Sequence, residues 1–241
     1  MKKLFLILFA VICTQAKAND MDIVRQYCTL LDKYTSTGYS ASISLSLVEL
    51  FNDYDAPIYN DIRFSSMAPQ DNEDIGIRHY LLTCKTIDSA DQHLRISTDN
   101  IDFVGYEPTH DEKVKYAVFS VEKTVHYGRD IFKTKELFKL RDNKIWTIRQ
   151  CETNFCEGLS LYERKNYDEA YKIFSKIAAS PTVNKDVADA RYYIAVMNIK
   201  RQGCKEMPKK YRMTNAAKML TSIAGTHRDR DAKHLLMIFG Y

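Results

Sequence analysis

Side chains able to move protons or hold a metal are thinly spread along this chain. By type, the acid–base candidates in the first half are Asp53, His79, His93 and His126. His79 falls on the apolar side of a helical pattern, where a hydrogen-bonded histidine of the core or its rim is the simpler reading. His126 closes a strand beside a turn and is expected to meet solvent. No G-x-S-x-G, H-E-x-x-H, glycine-rich phosphate loop or metal-spaced His/Asp cluster is present. The cysteines say more. Past residue 18 they are Cys28, Cys84, Cys151, Cys156 and Cys204, an odd set that leaves at least one thiol free or paired between chains. Cys151 and Cys156 are close enough in sequence to bridge locally. A zinc site is the alternative for this pair, but no second Cys or His pair follows at ligand spacing. Cys28 and Cys84 read as small buried hydrophobes on helices. Nothing here implies a cofactor or a metal.

The segment that would carry these residues out of the cytoplasm is the first. Lys2 and Lys3 precede an apolar run from Leu4 to Cys13, and Ala16-Lys17-Ala18 fits a small-x-small cleavage site. Residues 1–18 are therefore expected to be a signal peptide, too short in its apolar part to span a bilayer. No later stretch reads as a transmembrane segment. The expected address is exported, soluble and periplasmic or extracellular, where disulfides persist. The formal charge of +4 falls close to neutrality once Lys2, Lys3 and Lys17 are removed, which argues against nucleic acid as a partner.

Between residues 19 and 150 the period changes. Ile23, Tyr27, Leu30, Leu31 and Tyr34 make a helical stripe, ended at Thr35-Ser36-Thr37-Gly38. Ile43 to Phe51 favours helix, and Ile75, Arg78, His79 and Leu82 predict another through Ile87. Then the spacing becomes two. Leu94-Ile96 and Ile101-Phe103 read as short strands, and Ala117, Phe119, Val121, Lys123 and Val125 alternate with Tyr116, Val118, Ser120, Glu122 and Thr124 along a longer one. Thr134–Leu140, a turn at Arg141-Asp142-Asn143-Lys144 and Ile145–Cys151 predict a hairpin. Helices followed by an antiparallel meander give an α+β arrangement.

From Cys151 the period returns to that of helices. Phe155, Leu159 and Tyr162 share a face; Ala170, Tyr171, Phe174, Ile177 and Ala178 share another; Ser180-Pro181 separates them from a third run starting at Val187. Phe174 is expected in the core. Tyr167, Arg191, Tyr192 and Asn198 lie off these stripes and are the candidate binding residues. Lys205, Lys209, Lys210 and Arg212 form a basic loop, read as a solvated surface.

Two resemblances attach to these patterns. Gly158, Ala170 and Phe174 are similar to the small and aromatic positions of tetratricopeptide (TPR) repeats. Ala190-Arg191-Tyr192-Tyr193-Ile194-Ala195 and Ala216-Ala217-Lys218-Met219-Leu220 resemble a Sel1-like repeat, and Asp231-Ala232-Lys233-His234 would open a further unit. The long loop from Gln202 to Thr214 departs from that pattern. Glu136–Leu140 with Ile145-Trp146-Thr147-Ile148 resembles the last two strands of the NTF2-like superfamily. Together they imply an α+β fold: an NTF2-like cone of helices and antiparallel meander over 19–150, then an all-α Sel1/TPR-like helical repeat domain over 151–241. The implied function is non-enzymatic binding or assembly, with a protein or peptide in a groove of the repeat and self-association left open. The alternative is small-molecule binding, or isomerase- or hydrolase-like chemistry, in the pocket of the first domain. An activity does not follow from such a fold alone.

Overall fold

The computed structural model describes residues 2–62, 74–89, 92–108, 115–151 and 153–240, with backbone alone for 2–18, 108, 115 and 153. The cleavage residues Ala16-Lys17-Ala18 thus lie outside the described side chains. Among the described residues no helix is long and apolar enough to cross a membrane.

The chain divides into two compact units. The first takes 1–103 and 116–150; the second takes Val104–Lys115 and Cys151–Tyr241.

In the first unit, α1 (Lys2–Ser36) is followed by α2 (Ala41–Glu49), the short strands β1 (Pro57–Tyr59) and β2 (Asp74–Gly76), and α3 (Ile77–Ile87). The long strands β3 (Leu94–Pro108), β4 (Lys115–Tyr127), β5 (Asp130–Arg141) and β6 (Lys144–Gln150) come next. The sheet order is β2-β1-β6-β5-β4-β3. The β5–β6 hairpin turns where the sequence placed it, with Asp142 and Asn143 both at positive φ, as a two-residue turn matched to strand twist requires. The inner face of β4 is Ala117, Phe119, Val121, Lys123, Val125 and Tyr127, all buried. Val24, Tyr27, Cys28, Leu31 and Tyr34 of α1 are buried as well, and the Tyr27 ring packs edge-on against Phe138 at 5.3 Å.

The second unit joins five helices to the end of β3: α4 (Thr153–Glu163), α5 (Tyr167–Ala178), α6 (Lys185–Lys200), α7 (Lys209–Thr221) and α8 (Asp229–Ile238). Phe174 is fully buried against Phe155 and Tyr193. Gly158 is what lets α4 and α5 close on it, since a Cβ there would stand 2.7 Å from Phe174 Cε1.

These units correct the expected fold class. The sheet is mixed rather than an antiparallel meander forming a cone, because β1 runs parallel to β6 through Ile58 and Ile148 while pairing antiparallel with β2. Strands of three residues carry too little alternation to be seen in a sequence. Nor is the second unit an all-α repeat domain, since it includes Val104–Lys115. Two smaller corrections follow. The expected pair of short strands at 94–103 is one strand, β3. The buried stripe of α3 is Ile77, Tyr80, Leu81, Cys84 and Ile87, which leaves Arg78, His79 and Leu82 exposed.

Candidate functional site

The inner faces of β4 and β5 carry one residue each that breaks an otherwise apolar row. Lys123 sits among Phe119, Val121 and Val125, and Glu136 beside Phe138 and Leu140. The register sets Glu136 opposite Val121 and Lys123 opposite Thr134, so the two are diagonal neighbours on one face. Asp61, just past β1, completes the group. Lys123 Nζ lies 2.7 Å from Asp61 Oδ2 and 2.8 Å from Glu136 Oε1, with side-chain exposures of 2% for the lysine and 0% for both acids. Tyr80 of α3 donates its hydroxyl to Asp61 Oδ1 at 2.9 Å and receives Lys123 Nζ at 3.4 Å. The Tyr27 hydroxyl and Glu136 Oε2 are buried without a hydrogen-bond partner.

Burial sets the electrostatics of this group. It opposes the charge on Lys123, but Asp61 and Glu136 hold the ammonium charged well above the ordinary lysine range. Burial pushes Glu136 up to about 7, against the pull of Lys123 and with a further push from Asp61. Burial also raises the Tyr27 and Tyr80 hydroxyls and the Cys84 thiol, and takes Cys28 up to about 11. A carboxyl poised near neutrality beside a fixed cation is acid–base equipment.

A second buried charge cluster lies in the helical unit. Arg228, at the start of α8, pairs with Glu107 of β3 and with Asp189 of α6, and reaches Asp231 Oδ2 at 3.2 Å. His227 Nε2 is 2.9 Å from Asp189 Oδ1, and the Arg228 guanidinium lies 4.6 Å over the Tyr192 ring. Burial lowers the Arg228 pKa to about 10, with Asp231 acting in the opposite sense. The arginine stays charged near neutrality, so the cluster is a clamp joining α6, α8 and the end of β3.

The residues singled out in the sequence fall mostly elsewhere. Asp53, His79 and His93 are exposed, and His126 is half-buried on β4, outside the Lys123 cluster. Tyr192 and Asn198 are buried, so neither lines an open groove. Asn198 donates to Ile194 O and accepts from the Tyr171 hydroxyl at 3.4 Å. Arg191 ties three segments together through Ala178 O, Ser180 O and Ser222 O. Tyr167 is half-buried, edge-on to Tyr162. Cys151 and Cys156 are joined by a disulfide, and Cys28, Cys84 and Cys204 are free and buried. The expected basic loop is in large part the start of α7: Lys209, Lys210 and Arg212 lie on that helix, with Arg212 turned inward to hold Met207 O and Asn198 O, while Lys205, Lys209 and Lys210 are exposed. Among the described residues no His, Cys, Asp and Glu group fit to hold a metal occurs.

Sequence reasoning missed the Lys123–Asp61–Glu136 cluster although one sign was present: a lysine in register with four apolar residues of an alternating strand. In comparison with known proteins, no family model, curated protein or solved structure matches the chain.

Proposed function

We propose that this is an exported, non-enzymatic binding or assembly protein whose helical unit engages a protein partner. The observation that carries the reading is the end of α8. Of its ten residues only Ala232 is buried. Met237, Ile238 and the following Phe239 are 71%, 55% and 40% exposed, consecutive large apolar side chains left uncovered among the described residues. From residue 151 onward lysine and arginine outnumber aspartate and glutamate, and Lys209, Lys210, Lys218, Arg230 and Lys233 are exposed on α7 and α8. The complementary partner is a segment with an apolar face flanked by acidic side chains. Small-molecule binding or catalysis in the first unit has less support, because its clustered acid–base residues are sealed from solvent and its exposed ones are scattered.

The test compares the wild-type chain with Met237→Asp/Ile238→Asp in capture from envelope extract, together with sedimentation of each purified protein. Both residues are exposed, so the variant should keep its melting temperature. The expected result is a discrete partner retained by the wild type, weakened by salt and lost in the variant. Retention by the variant overturns the proposal. So does a wild-type dimer that the variant breaks, which would assign the surface to self-association.

A further inference from the structure

One ammonium cannot neutralise two carboxylates. Lys123 stands between Asp61 and Glu136 at 2.7 and 2.8 Å, and all three side chains are at most 2% exposed. With both acids ionised, the cluster buries a net negative charge. Among the described residues, the groups facing it are Tyr80 and Cys84 from α3 and Tyr27 and Cys28 from α1. None of these brings a second cation, and all four hold their protons through neutrality. Asp61 already has the better set of partners, taking Lys123 on one oxygen and the Tyr80 hydroxyl on the other. Glu136 has Lys123 on Oε1 and nothing on Oε2. The unbalanced charge therefore falls on Glu136.

We infer that Glu136, with Lys123 and Asp61, forms an internal proton-binding site, loaded in mildly acidic medium and empty in alkaline medium, and that the first unit is most stable when it is loaded. The proton goes to the unpartnered Oε2, Oε1 stays on the lysine, and the cluster becomes neutral. Loading transfers one proton from solvent and breaks no ion pair between Lys123 and Asp61. The direction of the linkage is fixed. Glu136 titrates at about 7 in the folded chain, above the ordinary glutamate value of 4.5. The folded state thus binds more protons than the unfolded one between these values. The contribution is fully present below the unfolded value and is lost as pH rises through about 7.

The single tryptophan, Trp146, lies on β6 and reports unfolding of this unit. Urea melts of the full chain, followed by its emission, should give a Glu136-dependent folding constant larger at roughly pH 5.5 than at pH 8.5 by on the order of tenfold or more. Glu136→Gln mimics the protonated acid and should remove that difference. A difference equally large in Glu136→Gln, or none in the wild type, overturns the proposal. Carbon NMR of the wild type labelled at glutamate carboxyls is independent of how the variant folds. One glutamate should titrate near neutrality, and its resonance should be absent in Glu136→Gln. If every glutamate titrates in the ordinary acidic range, no such site exists.

Discussion

Phe174 shows how one aromatic ring depends on the absence of a side chain elsewhere. Its ring is fully buried and occupies the space over Gly158. Phe174→Ala should cost about 3–5 kcal/mol, by lost transfer energy and the cavity left behind. Gly158→Ala should cost about 1–3 kcal/mol by overpacking at the same contact. Chemical melts followed by helical circular dichroism check both, and losses below about 1 kcal/mol would mean the helices part easily there. Phe174 was legible in the sequence because it sits on a clean one-sided stripe. Tyr192 and Asn198 were not legible, because α6 also buries Asp186 and Asp189 and so has almost no free face. A helix packed on several sides buries polar residues wherever partners exist, and stripe reasoning then calls interior positions exposed.

Lys123 links β4, β5 and the segment after β1, which places charge where strand alternation alone would place aliphatic residues. Lys123→Met fits the apolar row but strands both carboxylates. The expected destabilisation is about 3–5 kcal/mol at neutral pH, as for a buried pair broken from one side. The loss should grow toward alkaline pH, where Glu136 cannot shed its charge by taking a proton. Urea melts read through Trp146 decide it, and a pH-independent loss under about 1 kcal/mol would show that the acids are solvated. Elements of this kind were unevenly visible. The β5–β6 hairpin announced itself by alternation and by Asp142-Asn143, residues that accept positive φ. The face of α3 was misassigned because Ile75 belongs to β2, and counting the helical stripe from it shifts the buried set onto Arg78, His79 and Leu82. β1 and β2 were missed because three residues carry no usable period, and they are what make the sheet mixed.

The two units share the chain in an interleaved way, and this decides what can be cut apart. A boundary after Gln150 looks natural in the sequence, where strand periodicity gives way to helices. Yet Val104–Lys115 belongs with the helices, so the backbone passes between units at 103/104 and 115/116 as well as 150/151. The attachment inside the second unit is chemically specific. Glu107 is buried and paired with Arg228, which also holds Asp189. Gly105, at φ 149°, comes so close to α4 that a Cβ would meet Glu163 Cβ at 2.9 Å. A fragment of residues 19–150 would keep Glu107 but lose Arg228, leaving a buried carboxylate without its cation and uncovering the buried Val104. A fragment of 151–241 would keep Arg228 with Asp189 and lose its third acid. Neither piece is therefore expected to behave as a folded monomer, whereas co-expression of the two should restore a soluble complex with native Trp146 emission. Sedimentation and urea melts of each fragment alone and of the pair measure this. If 19–150 alone is monomeric and melts through Trp146 at the midpoint of the full chain, the β3 end contributes nothing to stability and the simple boundary at 150 stands.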